Sequence, residues 1–101
     1  MKLKHEFESI IDWAIEKGIT KNATAETQFI KLQEEIGELA IGILKKNKDE
    51  IQDAIGDCVV VLTILAHMNG MTIEHCINSA YEIIKDRKGK MINGTFVKQN
   101  T

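Results

Sequence analysis

Apolar positions recur every three to four residues in four stretches, the spacing of amphipathic helices. In the first, residues 4–17, Phe7, Ile10, Ile11 and Ala14 share one side, and Gly18 supplies a stop. The second runs from a Thr24 cap to about Lys46, with a stripe of Phe29, Ile30, Leu32, Ile36, Leu39, Ala40 and Ile43. The third, residues 50–69, opens after Asn47 or Asp49 and closes at Gly70. The fourth, residues 73–88, is capped by Thr72 and turns Ile73, Ile77, Ala80, Tyr81 and Ile84 inward. What remains, GKMINGTFVKQNT, reads as a polar tail with a turn at Asn93-Gly94. The chain has no proline, so breaks fall to glycine, asparagine and caps.

The third stretch admits a second reading. Cys58 to Leu62 holds three consecutive valines, as a strand would. The apolar run continues to Ala66 without a turn signal, which favours helix. A helix apolar on nearly every side is a buried one, and four helices of this length cannot enclose it. The expectation is an all-α, antiparallel bundle of about four helices whose core is completed by oligomerisation, as a homodimer or homotetramer.

With 101 residues, 44% hydrophobic and 28% charged, the chain suits one domain spanning 1–101, its polar tail covering 88–101. Thirteen basic against fifteen acidic residues give a net charge of −2, which argues against a nucleic-acid partner. Cys58 and Cys76 lie in apolar stretches and read as free thiols of a reducing, cytoplasmic setting. The start, MKLKHEFESII, lacks a signal-peptide pattern, and CVVVLTILA is too short to span a membrane.

The acids change the picture most. KLQEEIGEL (31–39) places Glu35 and Glu38 side by side on a helix, with Glu34 further out. On the next helix Glu50, Asp53 and Asp57 fall within about 60° of one another, in line with Val60, Val61 and Ile64. Gln28, Lys31, Glu35, Glu38 and Gly42 form a polar strip, with Gly42 expected to leave open space beside the acids. The short connection at 46–49 makes the two helices antiparallel and brings the two acid groups to similar heights. Carboxylates gathered around one gap need a cation or a proton. An all-oxygen set suits Mg²⁺, with Mn²⁺ an alternative, and Mg²⁺ so held takes substrate phosphates. The competing reading is a solvated Glu-rich helix face, which the alignment of Asp53 and Asp57 with the apolar stripe disfavours.

Glu34-Glu35-x-x-Glu38, followed by DEIQDAIGDCVVVL, resembles the MazG-like all-α nucleotide pyrophosphohydrolases, whose signature is EExxE on one helix and ExxD on the next. WAIEKGI, QFIKLQEEIGEL and IKDRKGKMINGTFVK extend the resemblance over nearly the whole chain. It implies Mg²⁺-dependent hydrolysis of a nucleoside triphosphate to a monophosphate and pyrophosphate by a bundle built from subunits. It further implies Glu35, Glu38 and Asp57 as metal ligands, Asp53 as a fourth, and Glu34 and Glu50 as auxiliary or alternative ones. The same four principal acids are the catalytic candidates, with Glu38 orienting the attacking water. Lys31, Lys85, Arg87, Lys88 and Lys90 are candidates for the phosphates, Trp13 for stacking on the base and Gln28 for its edge.

One position departs from the signature. Aligned on Gly56-Asp57, the glutamate of ExxD falls at Ala54. Glu50-x-x-Asp53 spells the motif one turn early. Asp53 lies about 40° from Asp57 and Ala54 about 60° on the other side, so Asp53 is expected to stand in, with Ala54 and Gly56 permitting close helix approach. The alternative is a non-catalytic bundle that binds a nucleotide or a protein.

Overall fold

The computed structural model describes residues 3–99. Five helices and a two-stranded hairpin follow in order: α1 (Leu3–Glu16), α2 (Ile19–Asn22), α3 (Ala25–Lys45), α4 (Lys48–Met68), α5 (Ile73–Ile84), β1 (Gly89–Ile92) and β2 (Thr95–Lys98). The fold is all-α in class. The four long helices are those the periodicity predicts, and α2 is one added turn. Residues 1, 2, 100 and 101, which the expected domain and tail include, lie outside the described residues.

Local chemistry sets the boundaries. Gly18, at φ 78°, ends α1 in the left-handed region that suits glycine. Thr24 opens α3: its hydroxyl accepts from the Thr27 amide at 3.1 Å, and the Thr27 hydroxyl accepts from the Thr24 amide at 2.9 Å. At the far end the Lys46 and Asn47 amides donate to the Ile43 and Gly42 carbonyls, at 3.1 and 3.0 Å. This is a Schellman closure with lysine, at φ 55°, where glycine is usual. Asn47 then caps α4, accepting from the Glu50 amide at 3.2 Å. The α3–α4 reversal is therefore fixed by backbone bonds, and the two helices pack antiparallel along their length. The run of valines is helix.

The buried apolar residues are few: Phe7 and Ala14 of α1, and Ala54, Val61, Ile64 and Ala66 of α4. Thr63 is buried beside them, its hydroxyl donating to the Val59 carbonyl one turn back at 2.7 Å. So α4 is the central helix, packed by α3 on one side and α1 on another. Among the described residues it is also the one helix long and apolar enough to cross a membrane, by length and composition only.

The α3 stripe, expected to be covered with the help of a second subunit, leaves Phe29, Ile30, Ile36 and Ile43 exposed within this chain. Other expectations are corrected. The inward face expected of α5 is likewise uncovered, with Ile77, Ala80, Tyr81 and Ile84 exposed, and the helix stops at Ile84 rather than at 88. The polar tail is an antiparallel hairpin in register Gly89↔Lys98 to Ile92↔Thr95. Its Asn93-Gly94 turn has φ of 50° and 79°, the positive pair a tight hairpin demands. Finally, Gly42 leaves no open space. A Cβ there would meet the Ile51 amide nitrogen at 3.2 Å and Glu50 Cβ at 3.3 Å, so the glycine is where α4 comes closest. Gly56 has nothing within 4 Å of such a Cβ and plays no part in that approach; the small buried residue on α4 is Ala54.

Candidate metal centre

Antiparallel packing of α3 on α4 brings Glu35 and Glu38, one turn apart, opposite Asp57. One carboxylate oxygen from each of the three lies within 4.8 Å of the others. Glu35 is 5% exposed, Asp57 half-buried and Glu38 exposed, so the trio forms a rim that opens outward. Glu35 Oε1 accepts from Lys31 Nζ at 3.2 Å, and the same lysine reaches Glu34 at 3.7 Å. Glu35 Oε2 is buried with no hydrogen-bond partner among the described residues. An unpaired buried carboxylate oxygen is costly, and this one sits in the cluster where a cation would satisfy it.

The electrostatics agree. The Glu35 charge pushes the Glu38 carboxyl above its ordinary pKa. Burial, then the Asp53 charge, pushes Asp57 the same way. Lys31 is held above its usual value by its hydrogen bond to Glu35. The question raised by crowded acids at the edge of a core thus has a partial answer in Lys31. One cation does not match three clustered carboxylates with Asp53 beside them. Carboxylate oxygens of this number and hardness fit Mg²⁺ or Mn²⁺ with remaining positions for water and phosphate.

The other predicted acids lie close by but outside the trio. Asp53 and Glu50 line a cleft of about 250 Å³ together with Glu38, Ile41 and Ala54. Ala54, where the signature has glutamate, is in its wall, 3% exposed. Asp53 also borders the open groove that carries Asp57 on its other side. Glu34 is exposed and, among the described residues, pairs with Lys31 alone.

Trp13 lies nearer to the acids than its sequence position suggests. Its ring, half exposed, lines a groove of about 420 Å³ between α1 and α4 that also holds Glu6, Ser9, Ile10, Val60 and Asp57. Glu6, Ser9 and Ile10 stand seven, four and three residues before Trp13, so helix spacing alone could have found them. Gln28 is half-buried on α3, two turns before Glu35 on the same face. Cys58, expected only as a free thiol, is half-buried. Burial raises its pKa, with smaller contributions from Glu35 and Asp57, so it borders the cluster. The structure does not bring Lys85, Arg87 or Lys88 to these grooves. Lys85 follows α5 and pairs with Glu82 at 2.7 Å, while Arg87 and Lys88 lie in the short link before β1.

What these elements define is an all-α protein carrying a carboxylate centre across an antiparallel helix pair. Residues 23–92 match the MazG nucleotide pyrophosphohydrolase domain, and the chain belongs to that family. A curated relative from Haemophilus phage HP1, an uncharacterized 18.2 kDa protein in the rep-hol intergenic region, is 45% identical over 67 residues. The match covers 66% of this chain and 41% of the relative, so the chain spans about two fifths of that protein's length. No solved structure matches the chain.

Proposed function

We propose that the protein is a Mg²⁺-dependent nucleoside triphosphate pyrophosphohydrolase, releasing a nucleoside monophosphate and pyrophosphate. The observation that carries the reading is the trio of Glu35, Glu38 and Asp57 within 4.8 Å, with one Glu35 oxygen buried and unpartnered. Family membership supports pyrophosphohydrolase chemistry in general. Mg²⁺ held by the trio, with Asp53 alongside, would neutralise charge developing on the phosphate oxygens.

The chain's own groups supply the rest. Glu38 is exposed and binds protons more readily than an ordinary carboxylate, so it is suited to take the proton of a water attacking phosphorus. Lys31 locks Glu35 in place through their ion pair and adds positive charge beside the phosphates. That Trp13 and Asp57 line one groove supports the reading that a base stacks on the indole. Gln28 is the candidate for the base edge. Lys85, Arg87 and Lys88 remain phosphate candidates only through assembly, which we read as a homodimer or homotetramer in the cytoplasm. In this reading α4 is a core helix, since its acids face α3, and nucleic acid and membrane are not partners.

A second reading, a non-catalytic nucleotide- or protein-binding bundle, is favoured by one feature: Ala54 where the signature has glutamate. Pyrophosphate release, measured over a panel of common and modified nucleoside triphosphates with and without Mg²⁺, separates the two. Metal-dependent turnover supports the enzyme. Binding of Mn²⁺ and nucleotide with no turnover across the panel supports the second reading.

A further inference from the structure

The groove between α1 and α4 that carries Trp13 also holds two polar groups for which the metal chemistry has no use, Glu6 and Ser9. Together with Trp13 they follow one another at spacings of three and four residues, so all three share one stripe of α1. Ile10 and Val60, both half-buried, give the groove an apolar lining, and Asp57 belongs both to it and to the acid trio. Glu6 and Ser9 are exposed, as solvated helix residues ordinarily are. Their place in a groove of about 420 Å³ sets them apart, since that volume falls within the range of small-molecule sites. Among the described residues none that lines it is basic. The groove therefore suits the uncharged nucleoside end of a substrate, and the phosphates belong with the cation.

An aromatic face holds a base without identifying it, because every base has a π-face. Identity is read at the base edge by hydrogen bonds. Gln28, the base-edge candidate on α3, does not line this groove. Side chains of a helix lean toward its N-terminus, so the surface that Trp13 covers lies over the turn holding Ser9. Along the axis Ser9 stands about 6 Å and Glu6 about 10 Å before Trp13. A carboxylate only accepts hydrogen bonds, whereas a serine hydroxyl accepts or donates. The pair complements an amino group beside a bare ring nitrogen, the pattern of cytosine and of adenine. Uracil and hypoxanthine differ from them there by a carbonyl and a ring N–H, and a carbonyl oxygen facing a carboxylate has no partner.

We infer that Glu6 and Ser9 read the edge of a base stacked on Trp13 and select nucleotides whose base carries an amino group over counterparts that carry a carbonyl. The inference rests on the nucleotide substrate and the Trp13 stacking named in the preceding section, and not on the metal ligands.

Two matched pairs of triphosphates test it on the full chain with Mg²⁺: cytosine against uracil, and adenine against hypoxanthine. Within each pair kcat/KM is expected to favour the amino-bearing base by about tenfold. Glu6→Gln, whose amide also donates to a carbonyl, should bring both ratios toward one with the far-ultraviolet helix signal retained. Ser9→Ala should slow only the amino-bearing member. Equal or reversed rates in both pairs overturn the inference while leaving the hydrolase reading intact. Ratios unchanged by Glu6→Gln or by Ser9→Ala overturn the role of that residue. Binding gives a readout free of turnover, because Trp13 is the one tryptophan of the chain. Cytidine and adenosine monophosphates should quench its fluorescence at lower concentration than uridine and inosine monophosphates do. That order without any turnover would overturn the hydrolase reading and support base selection. Quenching that ignores the base, or no quenching by any of the four, overturns base selection.

Discussion

The α3–α4 pair closes on itself within one chain, whereas the α5–hairpin arm stays uncovered. In the pair, Ala54 and Gly42 let two backbones close on one another, and acids gather where the packing leaves a rim. In the arm, the helix with the cleanest apolar face buries no residue of its own. The contrast teaches that periodicity identifies a face that needs covering and says nothing about what covers it. A function that needs only two helices of one chain is visible in the single chain. A surface that needs a second body is visible only as a vacancy of cover.

The sharpest way to break the comparison is to remove charge from the pair. Glu38→Gln should cut metal-dependent turnover by a factor of about 100 or more, while the oligomer mass stays at the wild-type value. Its metal-free fold should hold or gain stability, because a like charge leaves an over-charged cluster. Retained turnover in steady-state assays, or unfolding without metal by circular dichroism, would overturn the assignment of Glu38.

Next in size is the departure at Ala54. Asp53→Asn should weaken Mg²⁺ binding and slow turnover about tenfold if Asp53 stands in for the missing glutamate. Ala54→Glu should give little gain and lower metal-free stability, since it sets another carboxylate in a buried wall beside Glu38. Calorimetric Mn²⁺ titration of both variants decides it. A sharp rise in turnover for Ala54→Glu, with Asp53→Asn unchanged, would instead favour the non-catalytic reading.

Two glycines sharpen the packing side. Gly42→Ala should destabilise the protein by about 1–2 kcal/mol, because the new methyl presses on the Ile51 backbone, which cannot step aside as a side chain can. Gly37→Ala, on the same helix with nothing within 4 Å, should stabilise by about 0.5–1 kcal/mol through helix propensity. Thermal or urea unfolding at fixed protein concentration measures both; the same sign for the two would contradict the close approach at Gly42.

The smallest effect is on pH. Glu38 and Asp57 have pKa values raised in the folded state, so the native protein binds protons more tightly there than the unfolded chain does. Their contribution to stability is full below the ordinary carboxylate pKa and is lost as pH rises through the raised values. The metal-free protein should therefore lose thermal midpoint across that window through these two groups. Mg²⁺ should restore it at the upper end, where the ligands are ionised, and not at the lower. A midpoint raised by Mg²⁺ equally at both ends would contradict ligation by this pair.

The sequence alone determined the four long helices, because spacing, the Thr24 and Thr72 caps and the Gly18 and Gly70 stops are local features, while the structure chose Asn47 over Asp49 as the cap of α4. It also put Glu35, Glu38, Asp53 and Asp57 on faces that two antiparallel helices turn toward each other; that Glu35, Glu38 and Asp57 form the close trio, with Asp53 outside it, was decided by the packing. Tertiary structure decided the rest. Whether Gly42 is a hole or a contact depends on a residue of α4 that spacing within α3 cannot see. Phe29, Ile36 and Tyr81 stay exposed because one chain has too few layers to cover every stripe it carries. The MINGTFVK segment became a hairpin because pairing across the Asn93-Gly94 turn joins residues whose short runs showed no strand signal on their own. Trp13 and Asp57 share a groove only because α1 packs on α4, a contact between positions far apart in sequence. Local patterns are written by neighbours a turn apart; close approaches and grooves are made by partners that the chain brings from a distance.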